Sequence, residues 1–230
     1  MKNIQSIIIT LFLLLSVNEV IAQLDHLEPS DNIFNLGNRQ FEYYSKVRQV
    51  LYDGLTDSPE IRYLILPSFF PESVLEIEYD KKKNESFLVY HIGEKMIWHN
   101  NDWSNIKIFK YKKIITNENA ELIKSLFENA ILDAKYTEVP KRRDTDSVEV
   151  HLVMVDGESY YFSYFERYRG LIRSGHVLSP KKGTRMSRLV EIGNQLIELS
   201  MNNNSVVALS YDLKAEILNL TKDLKINDRQ

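Results

Sequence analysis

The stretch that decides the reading of the fold is Val74-Leu75-Glu76-Ile77-Glu78-Tyr79, Asp80-Lys81-Lys82-Lys83-Asn84-Glu85, Ser86, and Phe87-Leu88-Val89-Tyr90-His91-Ile92. Leu75, Ile77 and Tyr79 alternate with Glu76 and Glu78, which is the period of a strand with one face buried and the other in water. The polar run 80–85 turns the chain, and Phe87–Ile92 returns it. The pattern predicts an antiparallel hairpin.

Working outward, Ile61–Leu66, closed by Pro67, reads as a strand, and Met96–Trp98 and Ile106–Ile115 read as two more. Farther on, Val148–Val155 and Glu158–Phe165 flank Asp156-Gly157. That dipeptide suits a two-residue hairpin turn, whose central residues take positive φ. Leu171–Leu178 adds a strand. Between these runs the spacing becomes helical. Phe41, Tyr44, Val47, Val50, Leu51 and Leu55 share one face after a cap at Asn38. Ala120, Ile123, Leu126, Phe127, Ala130 and Ile131 follow a cap at Thr116 or Asn117. Helices over about 184–201 and 210–226 close the chain. Strands that arrive in hairpins, with helices between the groups, predict α+β architecture: an antiparallel sheet with helices packed on one face. Glu72–Ile77 resembles Asp146–His151, and Glu85–Tyr90 resembles Glu158–Ser163, so a duplicated strand–strand–helix unit would account for the order.

The N-terminus carries Lys2, an apolar run Ile7–Leu15 and a Val20-Ile21-Ala22 ending, the plan of a signal peptide cleaved after residue 22. The run is shorter than the ~20 apolar residues a membrane-spanning helix needs. The expected organisation is a signal peptide over 1–22, an extended lead-in over 23–37 and one α+β domain over 38–230. The expected location is the periplasm or outside the cell. The chain has no cysteine, which excludes disulfides, thiol nucleophiles and cysteine-bound metal. After removal of the leader about 200 residues remain, enough to bury a core without staples.

Chemical motifs are few. The eight glycines are too scattered for a dinucleotide fingerprint or a phosphate loop, and the five histidines form no local metal face, so no cofactor and no metal are expected. The window Arg167–Arg188 holds Arg167, Arg169, Arg173, Lys181, Lys182, Arg185 and Arg188 without one acid, in a chain of net charge −3. Thr184 stands where a helix begins, and helix N-termini attract anions. Two readings follow: a site for an anionic envelope component or a protein partner, or a solvated stretch whose charges are balanced in space. A mildly acidic exported chain does not suit nucleic acid.

The second window is Trp98-His99-Asn100-Asn101-Asp102-Trp103. In composition it resembles a sugar-binding loop, with Trp98 and Trp103 as platforms and His99, Asn101 and Asp102 for hydroxyls. The plainer reading makes Trp98 a core anchor and the Asn-Asn-Asp run a turn. The expected function is a non-enzymatic binding module. The rival is a hydrolase of wall or glycan material with Asp102, His99 and His91 as acid and base, and no catalytic set stands out.

Overall fold

A computed structural model of the chain describes residues 25–30, 41–98, 102–136 and 157–227. The expected hairpin forms: β3 (Ser73–Asp80) and β4 (Glu85–Gly93) pair antiparallel from Ser73↔Ile92 to Asp80↔Glu85. Asn84 takes a positive φ of 54° in the turn, a conformation that asparagine tolerates. Around this pair the sheet grows by β2 (Ile61–Pro67), β5 (Ile108–Ile115), β6 (Glu158–Glu166) and β7 (Leu171–Leu178). Two two-residue strands, β1 (Glu28–Pro29) and β8 (Val206–Val207), close its edges. The order is β1-β7-β6-β2-β3-β4-β5-β8, antiparallel except for β5 with β8. Read outward from the central β2–β3 pair, β4–β5 lies on one side and β6–β7 on the other, and each pair is followed in the chain by a helix.

Three helices cover one face. They are α2 (Asn117–Leu132), α3 (Arg185–Met201) and α4 (Tyr211–Asn227), laid on Ile61, Tyr63, Leu75, Ile77, Leu88, Tyr90 and Phe162. Their caps are those the sequence predicts: the Thr116 side chain accepts from the Asn119 amide, and that of Thr184 from the Ser187 amide. The remaining helix, α1 (Phe41–Leu51), packs on the opposite face, where Tyr44, Val47 and Leu51 meet Leu64, Leu66, Val74 and Ile97. Helices therefore pack against an α+β sheet as expected, with α1 opposite the other three. The second layer explains how a strand as aromatic as β6 is accommodated. Tyr160, Phe162 and Tyr164 join the main core, and Tyr161 turns toward α1.

Two strand readings change, and a third lies outside the described residues. Met96–Trp98 is a turn, because the Glu72 carboxylate accepts from the amides of Ile97 (2.7 Å) and Trp98 (3.1 Å) and takes them out of any ladder. The expected strand Val148–Val155 lies outside the described residues, and β6 finds its partners in β2 and β7 along its length. The lead-in joins the sheet: β1 pairs with β7, and Leu27 is fully buried in the main core.

Candidate functional site

The alternation of β3 places Glu76 toward solvent in a single-layer reading. The structure buries it completely, because α1 roofs that face. Register puts Arg62 of β2 directly opposite Glu76 on the same face. Its Nε and Nη2 donate to Glu76 Oε2 at 2.9 and 2.7 Å, and Nη2 also donates to the Thr56 carbonyl at 2.5 Å. Glu76 Oε1 accepts from the Thr56 amide at 3.0 Å. The guanidinium lies over the Tyr52 ring, 4.3 Å from its centroid. Burial pushes the Glu76 carboxyl up to about 7, against the downward pull of Arg62 and the Thr56 amide. Burial also pushes the Tyr52 phenol up to about 12.

Arg62 of this pair lines the floor of a cleft of about 450 Å³ on the α1 side of the sheet, and Glu76 is buried behind it. Arg48 from the last turn of α1, Tyr52 just after it and Asp57 from the following turn form one rim, with Arg48 3.9 Å from Asp57. Leu64 and Tyr161 supply apolar floor, and Ser30, Ser163, Ser174 and Ile172 the far wall. That wall is firm: Ser174 Oγ donates to the Ser30 carbonyl at 2.6 Å, and Tyr161 stacks on His176 at 5.5 Å. A concave space with an apolar floor and a few fixed polar groups is the usual form of a small-molecule site.

The basic window splits. Arg167 pairs with Glu60, which also holds Lys124 at 2.7 Å. Arg169 and Arg173 share Glu166 at 3.4 and 2.6 Å. Arg188 bridges Glu216 and Asp223 at 2.7 and 2.8 Å. The anion at the start of α3 is internal: Asp25 accepts from the Arg185 amide at 2.5 Å and from its Nε at 3.0 Å, while Asp133 lies 3.4 Å from Nη1. Thr184 caps that helix. Lys181 and Lys182 are exposed and, among the described residues, have no ion-pair partner. The strand β7 separates them from Arg169 by roughly 25 Å at ~3.3 Å per residue. The seven cations therefore do not converge on one spot, although β7, which lies inside the window, builds a wall of the cleft through Ile172 and Ser174.

Of the tryptophan window, His99 and Asn101 lie outside the described residues. Trp98 is 51% exposed and packs edge-on against Tyr43 at 4.6 Å, so it is not a core anchor. Asp102 accepts from Asn105 Nδ2 at 2.9 Å and holds the short 3-10 turn Trp103–Asn105. His91 is buried, with Nδ1 2.7 Å from the Leu51 carbonyl. Burial holds its pKa below the ordinary histidine value. Among the described residues no cluster of histidine and acid could hold a metal ion, and no helix is long and apolar enough to cross a membrane.

Arg62, Glu76 and Tyr52 escaped sequence reasoning. The signal available was a pair of charged residues at like-facing positions of adjacent strands. Compared with family models, with curated proteins and with solved structures, the chain finds no significant match.

Proposed function

We propose that this protein is a non-enzymatic binding module of the cell envelope that takes a small polar ligand in the Arg62 cleft. The observation that carries the reading is a buried ion pair whose arginine, Arg62, lines the floor of an open cleft. Such a pair is costly to desolvate and is commonly replaceable by apolar residues without loss of stability. Its presence beneath an accessible cavity fits recognition better than packing. The rim cation Arg48 and the serine wall suit a ligand with an anionic or hydroxyl-rich head. Leu64, Tyr161 and Ile172 suit an apolar flank of the same molecule.

A raised carboxyl beside a cleft is also what an acid–base enzyme would use. Here both Glu76 oxygens accept protein hydrogen bonds, from Thr56 and from Arg62, so the carboxyl serves the floor and not a substrate. That geometry supports binding over hydrolysis. The test is a thermal-shift screen of small carboxylates, phosphates and sugars against the parent and a Ser174→Phe variant that fills the cleft. A binder should stabilise the parent by mass action, by about 2.7 kcal/mol at a hundredfold excess over Kd, and so raise its midpoint while leaving that of the variant unmoved. Equal shifts in both would refute the assignment.

A further inference from the structure

Strand register lays one polar row across the sheet on the α1 side. Glu76 of β3 stands opposite Arg62 of β2, Arg62 opposite Ser163 of β6, and Ser163 opposite Ser174 of β7. Residues two positions along the same strands share that face. Leu64 and Tyr161, themselves opposed, therefore make an apolar row on one side of the polar one, and Ile172 stands on its other side.

Most donors of the polar row are already engaged. Arg62 Nε and Nη2 donate to Glu76 and to the Thr56 carbonyl, and Ser174 Oγ donates to the Ser30 carbonyl. Two donors are not. Arg62 Nη1, with two N–H groups, donates to none of the described residues, and neither does the Ser163 hydroxyl. Arg62 is only 7% exposed, and its unpartnered nitrogen keeps contact with solvent where the side chain lines the cleft. A charged donor in a largely buried side chain is stabilised by an acceptor, most of all by an ionised one. Directly opposed residues of two strands have Cβ atoms about 5 Å apart, so one group with two oxygens can take both donors.

We infer that the cleft binds an organic carboxylate with an apolar body, one carboxylate oxygen on Arg62 Nη1 and the other on the Ser163 hydroxyl. The assignment rests on the reading of the cleft as a small-molecule site. The body of the acid lies over the apolar floor of Leu64, Tyr161 and Ile172. A phosphate suits this floor less well. A phosphomonoester carries about −1.5 to −2 charges at neutral pH, whereas Arg62 already shares its charge with Glu76, and the rim cation Arg48 lies 3.9 Å from Asp57. A sugar would offer the guanidinium only neutral acceptors and would lay hydroxyls on the apolar rows.

Isothermal titration of the protein at neutral pH with hexanoate, phenylacetate, the neutral amide of each, hexyl phosphate and glucose tests the inference. At least one of the acids should bind, and which of them binds tells an aliphatic from an aromatic body. Its amide should bind about tenfold or more weakly, because a neutral acceptor replaces an ionised one. Ser163→Ala should weaken the acid by about tenfold, the loss of one hydrogen bond to a charged group. Its circular dichroism and unfolding midpoint should match the parent, since the hydroxyl has no partner to lose among the described residues. Ser163→Asp brings a carboxylate to Nη1 from within the chain and should abolish binding, as should Ser174→Phe, which fills the cleft. An acid that binds no better than its amide, an acid that parent and Ser163→Ala bind equally, or no binding of either acid overturns the inference. Preference for glucose or hexyl phosphate, lost in Ser174→Phe, overturns it and leaves the cleft a small-molecule site. Binding that Ser174→Phe leaves unchanged overturns both.

Discussion

Removing one member of the buried pair and removing both should have opposite consequences. Glu76→Leu leaves the Arg62 guanidinium buried with the Thr56 carbonyl and the Tyr52 ring as its remaining neighbours. Arg62→Met leaves the Glu76 carboxylate buried with one amide donor, that of Thr56. Each single change should cost about 3–5 kcal/mol, the usual penalty for an uncompensated buried charge. Simple addition would give about 6–10 kcal/mol, which rivals the whole stability of a typical domain, ~5–15 kcal/mol. The double variant Arg62→Met/Glu76→Leu instead keeps the volume, buries no charge, and should lie within about 1–2 kcal/mol of the parent on either side. Urea unfolding followed by circular dichroism reads this directly. At a slope of ~2–3 kcal/mol per molar, each single should lower the midpoint by about 1–2 M and the double by less than about 1 M. The double should bind no ligand. A double variant as damaged as the sum of the singles would show that the pair is there for stability, and the argument from its presence under the cleft would collapse.

The same carboxyl sets a pH signature. Its folded pKa of about 7 lies above the ordinary 4.5, so the folded state holds more protons between those values and the contribution of Glu76 to stability falls as pH rises through that window. The difference in unfolding free energy between parent and Glu76→Gln should therefore change across pH 4.5–7; a flat difference would contradict the raised carboxyl. Leu126→Ala, at a fully buried position of α2, should cost about 2–5 kcal/mol in chemical denaturation, and under ~1 would mean the helix face is misassigned. Lys181→Gln/Lys182→Gln should leave unfolding within about 1 kcal/mol of the parent, as exposed charges do. Arg185→Gln should be clearly worse, because it strips a cation from Asp133, which is 1% exposed. If residues 1–22 act as a signal peptide, mass spectrometry of the protein recovered from cells should find Gln23 at the N-terminus, and a chain beginning at Met1 would exclude processing.

Much of the fold was legible because it rests on local periodicity. Leu189, Val190, Leu196 and Ile197 recur at helical spacing and are buried in α3, and Leu75 and Ile77 alternate along β3 and are buried beneath the helices. The misreadings share a physical cause, namely partners distant in the chain. Glu76 reads as solvent-facing until α1 covers the second face and Arg62 arrives 14 residues away. The acid-free window looked like one basic patch because its counter-charges lie outside it: Glu166 just before its first residue, and Asp25, Glu60, Asp133, Glu216 and Asp223 from elements distant in the chain. Met96–Trp98 carries strand-forming side chains, yet a carboxylate from turn 68–72 captures its amides. The two-residue strands β1 and β8 are too short to have a pattern.

The central claim is that the Arg62 cleft holds a small molecule, and native mass spectrometry of the protein purified from the cells that make it tests this most directly. The parent should carry a small-molecule adduct that dissociates on activation, and Ser174→Phe and the Arg62→Met/Glu76→Leu double variant should carry none. A parent without any adduct after incubation with envelope extract, or an adduct that both variants retain, would contradict the claim.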